Sequence, residues 1–132
     1  RLAALRGVKV DVILPEKSDH VIIDWAMRGQ LSFFENHGLN CYLSTTSFDH
    51  AKLVTVDGEW CAFGSPNWDV RSLRLNFELL VECYTRKVVA TIDKLIDEKL
   101  RDSRPLHMNE LEVQGLPVKL RNATARLFLP YL

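Results

Sequence analysis

The sequence predicts one α/β domain in which a mixed central β-sheet is flanked by helices. Three patterns support this class: short segments that alternate apolar and polar residues, two segments with helical spacing of apolar residues, and an Asp-Gly pair between two strand-like segments. The chain has 132 residues, of which 47% are hydrophobic. That length is enough for one buried core and too short to expect two.

The first third of the chain is typical of a strand, helix, strand unit. Residues 1–6 resemble the last turns of a helix that ends at Gly7, and residues 8–14 alternate as a strand does. Residues 20–37 keep apolar side chains at helical spacing, and residues 39–43 predict the next strand. We expect the two strands to be parallel and the connection between them to be right-handed.

The rest of the chain adds a hairpin, a strand, a helix and a tail. A strand is expected from Phe77, and residues 86–101 place their apolar side chains on one helical face. We divide the chain into an α/β part, 1–104, and a C-terminal helical tail, 105–132. The tail holds a short helix candidate at 109–114, followed by leucines in line at helical spacing.

Composition narrows the possible functions. There are 17 basic and 17 acidic residues, so no broad positive field favours nucleic acid, and none is expected as a partner. The cysteines, at positions 41, 61 and 83, are odd in number and widely spaced, which predicts reduced core thiols. No apolar run of about 18 residues and no signal peptide occurs, so we expect no transmembrane helix in this segment.

The most informative stretch is HAKLVTVDGEWCAFGSPNWD, residues 50–69. An Asp-Gly pair at 57–58 predicts a two-residue type I′ turn, which would place Lys52 opposite Phe63 and His50 opposite Ser65. Directly opposed side chains share one face of a sheet, and so do residues two apart on one strand. The spacing therefore predicts a cluster of histidine, lysine and serine, with an asparagine one pleat further on.

Such a cluster suits a phosphodiester. Lys52 would neutralise the non-bridging oxygens, Ser65 and Asn67 would donate hydrogen bonds to them, and Gly64 would allow close backbone approach. His50 would attack phosphorus or move a proton.

Two residues of this stretch are expected to be structural. Asp57 and Gly58 build the turn, and Asp57 lies several pleats away from His50. A metal site formed by Asp49, His50 and Asp57 is disfavoured, because neighbouring strand residues point to opposite faces and Lys52 would repel a cation. We expect no metal and no cofactor.

The stretch resembles the phospholipase D superfamily. His50, Lys52 and Asp57 match its signature H-x-K-x4-D, and Gly64, Ser65 and Asn67 match the G-S-x-N that follows. The segments GVKVDVILPEKSD and RSLRLNFE extend the likeness, and the second is similar to the cardiolipin synthase branch of the bacterial enzymes.

The resemblance implies one half of a bilobal fold and a membrane-associated bacterial phosphatidyltransferase. It implies a phosphohistidine intermediate, no metal, and phosphatidylglycerol or a related phospholipid as substrate. Glu78 matches the acidic residue expected to hydrogen-bond the second nitrogen of the histidine and set its tautomer. Arg71, Ser72 and Asn76 match as well, but bracing the connection is as good an interpretation, so we leave them out of the catalytic set.

One departure from the family pattern is important, because these enzymes use two H-x-K motifs and this chain has one. The other histidines, at positions 20, 37 and 107, are not followed by lysine two residues on. We expect the N-terminal half of the same polypeptide, missing from this segment, to supply the second motif, with a symmetric homodimer as the alternative. Because the segment resembles the C-terminal half, His50 is expected to act as general acid and then base, although the role of nucleophile stays open.

Other interpretations remain. The chain could be a single-motif phosphodiesterase or nuclease acting as a homodimer, or a non-catalytic packing or membrane-docking module. Residues 116–132 carry basic and apolar residues and no acid, which suits either an anionic bilayer surface or a helix docked on the sheet.

Overall fold

A computed structural model of the chain describes residues 2–16, 21–35, 39–45, 50–67, 72, 74–107, 110 and 113–128. Within these residues the elements in chain order are α1 (Leu2–Leu5), β1 (Asp11–Pro15), α2 (Val21–Glu35), β2 (Asn40–Ser44), β3 (Lys52–Val56), β4 (Trp60–Gly64), β5 (Leu80–Cys83), α3 (Arg86–Arg101), β6 (Ser103–Pro105) and α4 (Leu116–Phe128). The predicted α/β class is confirmed. The described strands form two three-stranded sheets, ordered β1-β2-β6 and β3-β4-β5.

The first sheet contains the predicted parallel unit. β1 and β2 pair in parallel from Asp11 opposite Asn40 to Pro15 opposite Ser44, and α2 connects them. The short strand β6 pairs antiparallel with the other side of β2 and was not predicted. β6 has only three residues and ends in proline, so its sequence shows no alternation of apolar and polar residues. Only its pairing with β2 identifies it as a strand. The core of this sheet is formed by Leu31, Leu39, Cys41, Leu43 and Leu106.

The second sheet is antiparallel and carries the 50–69 stretch on its first two strands. Helix α3 has the predicted bounds and contacts strands of both sheets. Its Val89 is fully buried, as expected for the apolar face of an amphipathic helix. Cys61 and Cys83 lie directly opposite each other on β4 and β5 as free thiols, and burial raises the pKa of Cys61.

Among the described elements, helix α4 packs mainly against α2. An added Cβ at Gly29 would lie 2.8 Å from the carbonyl oxygen of Asn122, so the two backbones meet closely there. The guanidinium of Arg121 lies 4.3 Å from the ring centroid of Trp25. The opposite face of α4 leaves apolar side chains exposed, among them Leu116 and Leu127.

The expected division after residue 104 falls inside β6, and Leu106 belongs to the core of the first sheet. Half of the short helix candidate at 109–114, residues 109, 111 and 112, lies outside the described residues. Among the helices that the structure describes, none is long and apolar enough to cross a membrane.

Candidate active site

The Asp-Gly turn has the expected backbone. Asp57 and Gly58 have φ angles of 52° and 68°, and the N–H of Glu59 donates to the carbonyl oxygen of Val56 at 3.0 Å. Positive φ at both central positions is what a type I′ turn requires. Asp57 is exposed at the tip, far along the hairpin from His50.

The predicted register of the hairpin is wrong by one residue. Residues 57–59 separate the paired strands, because Glu59 is an additional residue after the turn and the ladder begins at Trp60. Lys52 therefore lies opposite Gly64 and not opposite Phe63. The pairing ends there, so His50 and Ser65 are not partners in the ladder, and extending it would place His50 opposite Pro66. A shift of one residue exchanges the two faces of a strand, so the register alone no longer gathers the cluster.

His50 and Lys52 are brought together as expected. The Nζ of Lys52 lies 3.0 Å from Nδ1 of His50 and donates to the carbonyl oxygen of His50 at 2.5 Å. An ammonium group is only a donor. In this arrangement Nδ1 is therefore the acceptor, and a neutral His50 ring carries its proton on Nε2.

Glu78 is the centre of a second group of contacts. Its carboxylate accepts hydrogen bonds from the hydroxyls of Ser65 and Ser72, each at 2.5 Å, and from the side-chain amide of Asn76 at 3.3 Å. Ser72 is buried, with 3% of its surface exposed, and its oxygen also accepts the backbone N–H of Asn67 at 2.9 Å. Ser72, Asn76 and Glu78 thus lie together beside the residues that follow β4.

Ser65 is held by backbone and side chain at once. Its N–H donates to the carbonyl oxygen of Leu79 at 3.0 Å, and its hydroxyl accepts the N–H of Leu79 at 3.0 Å. Gly64 permits this contact, because an added Cβ would lie 2.1 Å from the same carbonyl oxygen. The close approach expected of Gly64 is therefore to the neighbouring strand. Since a hydroxyl has one proton, Ser65 donates it to Glu78 here, and its contact with a phosphate stays a prediction.

The charges of Lys52 and Glu78 connect the two groups of contacts, the one between His50 and Lys52 and the one around Glu78. Hydrogen bonds from the hydroxyls of Ser65 and then Ser72 lower the pKa of Glu78, with smaller contributions from Asn76 and from the positive charge of Lys52. The carboxylate is therefore ionised at neutral pH, and it acts on the same ammonium group that contacts His50.

Ser72 and Asn76 are the residues of this site that the sequence analysis set aside. Their only sequence signal is that they belong to the matched R-S-x-x-x-N segment. That match does not distinguish residues of the active site from residues that only support the connection between two elements. Arg71 lies outside the described residues. Among the residues described, no group of three or more His, Cys, Asp or Glu side chains is placed to hold a metal ion.

The fold and these residues correspond to a known class of domain. Residues 1–100 match the family model described as "Cardiolipin synthase, PLD-like domain". The chain therefore belongs to the phospholipase D-like domains of the cardiolipin synthase family, as its motifs predict.

Individual relatives agree with this assignment over the whole chain. The chain is 32% identical to the major cardiolipin synthase ClsA of Bacillus subtilis, 33% identical to a cardiolipin synthase of Listeria welshimeri and 29% identical to cardiolipin synthase 1 of Staphylococcus epidermidis. Each match covers 100% of this chain and 27% of the relative. The chain thus spans little more than a quarter of the length of these curated relatives.

Proposed function

We propose that this chain is the C-terminal catalytic half of a bacterial phosphatidyltransferase of the cardiolipin synthase type. The observation that carries the proposal is the direct contact between His50 and Lys52 beside the ionised Glu78, within a chain of this family. A cation, an imidazole and a carboxylate with hydroxyl partners are the groups that phosphodiester transfer at a histidine requires.

Lys52 binds the phosphate of the substrate. The residue is half-buried, and its ammonium is now held by the ring and the carbonyl oxygen of His50. The anionic non-bridging oxygens of a phosphodiester are stronger acceptors for an ammonium than these neutral atoms. Substrate therefore draws Lys52 away from Nδ1 of His50.

This movement prepares His50 for chemistry. A nucleophilic histidine needs a lone pair on Nε2 and its proton on Nδ1, whereas a general acid needs a proton on both nitrogens. Both states require Nδ1 to change from acceptor to donor, which it does once Lys52 leaves. A carboxylate offers about four acceptor positions, and Ser65, Ser72 and Asn76 occupy three of those of Glu78. The remaining position accepts the Nδ1 proton.

The transfer proceeds in two displacements. In the first, the histidine of the other half attacks phosphorus, a phosphorus–nitrogen bond forms, and the phosphorus–oxygen bond to the leaving alcohol breaks. His50 donates its proton to that alcohol oxygen. In the second, an acceptor hydroxyl attacks phosphorus while His50 removes the hydroxyl proton; a new phosphorus–oxygen bond forms, the phosphorus–nitrogen bond breaks, and both histidines are restored.

The proposal requires partners beyond these residues. The N-terminal half of the same polypeptide supplies the second H-x-K motif, because one histidine cannot act on both sides of phosphorus at once. The substrate is phosphatidylglycerol or a related phospholipid, which places the enzyme at the surface of the bacterial cell membrane.

The experiment uses the complete polypeptide with vesicles that contain phosphatidylglycerol, and it measures cardiolipin by mass spectrometry. We expect His50→Ala to lower the rate by about 10²- to 10⁴-fold, the range for loss of an acid–base group. Lys52→Ala should lower it by about 10²- to 10³-fold, the range for loss of one group that stabilises charge on the phosphate. His107→Ala is the matched control, because His107 is exposed and lies outside the motif, and it should keep the rate within about twofold. A His50→Ala enzyme of undiminished rate would refute the proposal, and DNA cleavage by a dimer of this chain would support the nuclease alternative.

A further inference from the structure

Helix α4 carries a line of exposed leucines on the face that points away from α2. Asn122 and Ala125 lie on the inner face and are buried. Leu116, Leu120 and Leu127 lie on the outer face and are 70%, 59% and 70% exposed. At 3.6 residues per turn these three leucines point within about 20° of one direction, and they extend over roughly 16 Å. They form one continuous ridge, called here the α4 ridge.

The contacts of the inner face hold the α4 ridge outward. The guanidinium of Arg121 lies 4.3 Å from the ring centroid of Trp25 and donates two hydrogen bonds to Oδ1 of Asn122, at 3.2 and 3.0 Å. The backbone of Asn122 also lies close to Gly29 of α2. Turning the leucines inward would break these contacts. A single exposed leucine is ordinary, but a line of them on a fixed helix indicates an interaction surface.

Basic side chains line one side of the α4 ridge. Lys119 and Arg126 are both exposed and are seven residues apart, which places them on the same side of the helix. By helical spacing they lie about a quarter turn from the leucines. Residues 113–128 contain these two, Arg121 and no acidic residue. The outer surface of α4 is therefore apolar along its centre and positive along one flank.

The described carboxylates of the neighbouring segments have other partners. On α2, Asp24 is ion-paired at 2.8 Å with an arginine one turn further along the helix. Before α4, the carboxylate of Glu110 accepts two hydrogen bonds from Arg104, each at 2.9 Å. Glu112 and the side chain of Glu35 lie outside the described residues. Within the described parts of α2 and of 113–128, no unpaired acid offsets the positive flank.

An anionic phospholipid bilayer is the partner that fits this surface. Amphipathic helices with leucines on one face and basic residues beside them lie in the plane of the interface, with the apolar face about 5–10 Å into the headgroup and acyl boundary. Anionic lipids attract the basic flank. A protein partner fits less well, because lysine is depleted in protein interfaces.

We propose that the α4 ridge docks on the surface of an anionic bilayer, with the leucines at the acyl boundary and Lys119 and Arg126 at the level of the lipid phosphates. This rests on the proposed function in one respect, that the substrate lies in a bilayer. It goes further by naming the contact surface, which is separate from the residues that carry the chemistry. The lipid of this contact is held by its charge and its acyl chains and is not transferred.

The test measures access to the α4 ridge and not activity. Leu120→Cys and Lys94→Cys are made separately in the complete polypeptide, which is placed in phosphatidylcholine vesicles with or without phosphatidylglycerol. The rate of labelling by a charged maleimide is quantified peptide by peptide. Lys94 is the control because its side chain is 77% exposed on the polar face of α3. We expect phosphatidylglycerol to slow the labelling at position 120 by at least about tenfold, as two basic side chains at an anionic surface allow, and to leave position 94 unchanged.

Reversal of the flanking charges tests the cause of this protection. Lys119→Glu with Arg126→Glu, added to Leu120→Cys, should bring the two labelling rates within about twofold of each other, whereas Lys94→Glu should leave the difference intact. Protection that survives the double reversal would overturn the proposal.

Other outcomes identify other occupants. Slow labelling at position 120 without any lipid indicates a protein segment or a second copy, and equal slowing by both kinds of vesicle indicates a bilayer contact that does not depend on charge. Either result overturns the proposal. Leu127→Cys is the second variant if Leu120→Cys does not fold. A His50→Ala polypeptide should keep the protection, so failure of the docking surface and failure of the proposed function can be told apart.

Discussion

Replacing Gly64 by alanine is the sharpest test of how the second sheet is assembled. The added Cβ would lie 2.1 Å from the carbonyl oxygen of Leu79 and 3.0 Å from Cα of Leu80, both of which are backbone atoms. Backbone cannot rotate away as a flexible side chain does. To bring the first distance from 2.1 to 3.0 Å, β5 must move by about 0.9 Å.

The cost follows from what that movement breaks. The two hydrogen bonds between Ser65 and Leu79 are each 3.0 Å long, and a displacement of this size takes both beyond hydrogen-bonding distance. Each contributes about 1 kcal/mol net. Overpacking adds about 1–3 kcal/mol, and the reduced entropy of the unfolded chain returns about 0.4–1 kcal/mol. We expect Gly64→Ala to lower the free energy of unfolding by about 3 kcal/mol, or roughly 10 °C in Tm for a domain of this size.

Chemical and thermal denaturation followed by circular dichroism would measure this loss. Gly115→Ala is the matched control, because a Cβ there meets its nearest neighbour, Cδ of Pro117, at an ordinary 3.7 Å. Gly115→Ala should lower the free energy of unfolding by about 1 kcal/mol or less. If Gly64→Ala is no less stable than Gly115→Ala, then β5 does not pack against β4 as described here.

Three further substitutions test individual residues of the site, the turn and helix α4. Ser65→Ala removes the largest cause of the lowered pKa of Glu78, so the pKa should rise toward its ordinary 4.5. A carboxyl group whose pKa is lower in the folded than in the unfolded protein stabilises the fold at pH values above its unfolded pKa, and this stabilisation is lost as the pH falls through the folded pKa. The free energy of unfolding of the Ser65→Ala variant should therefore vary less with pH below about 4.5. An unchanged titration of the Glu78 carboxyl by NMR would contradict this. Asp57→Asn should keep both the stability, within about 0.5 kcal/mol, and the transferase rate of the complete polypeptide, because asparagine also tolerates a positive φ; a large loss of rate in a folded variant would give Asp57 a catalytic role. Arg121→Met should cost about 1–2 kcal/mol, measured by urea denaturation, because it removes both the contact with the Trp25 ring and the two hydrogen bonds that the guanidinium donates to Oδ1 of Asn122; a neutral result would show that these interactions add nothing to the docking of α4.

Local patterns were sufficient for much of the fold. The apolar spacing of residues 86–101 predicts α3 with its observed bounds, because one face of a helix repeats every three or four residues. The parallel pairing of β1 and β2 follows from a helix of 15 residues between two strands. The turn at Asp57 and Gly58 follows from the few residues that accept a positive φ.

The sequence by itself thus determined the family, because its motifs can be read in order along the chain. It also determined the turn and the proximity of His50 and Lys52, because each of these depends on residues only a few positions apart. The tertiary structure alone decided the hairpin register, since whether Glu59 joins the ladder depends on the fit of the whole sheet. It also decided that Ser65 and Ser72 both donate to Glu78. Both contacts depend on how the end of β4 meets the residues before β5, as in the close approach of Gly64 to Leu79, and no local spacing encodes that approach.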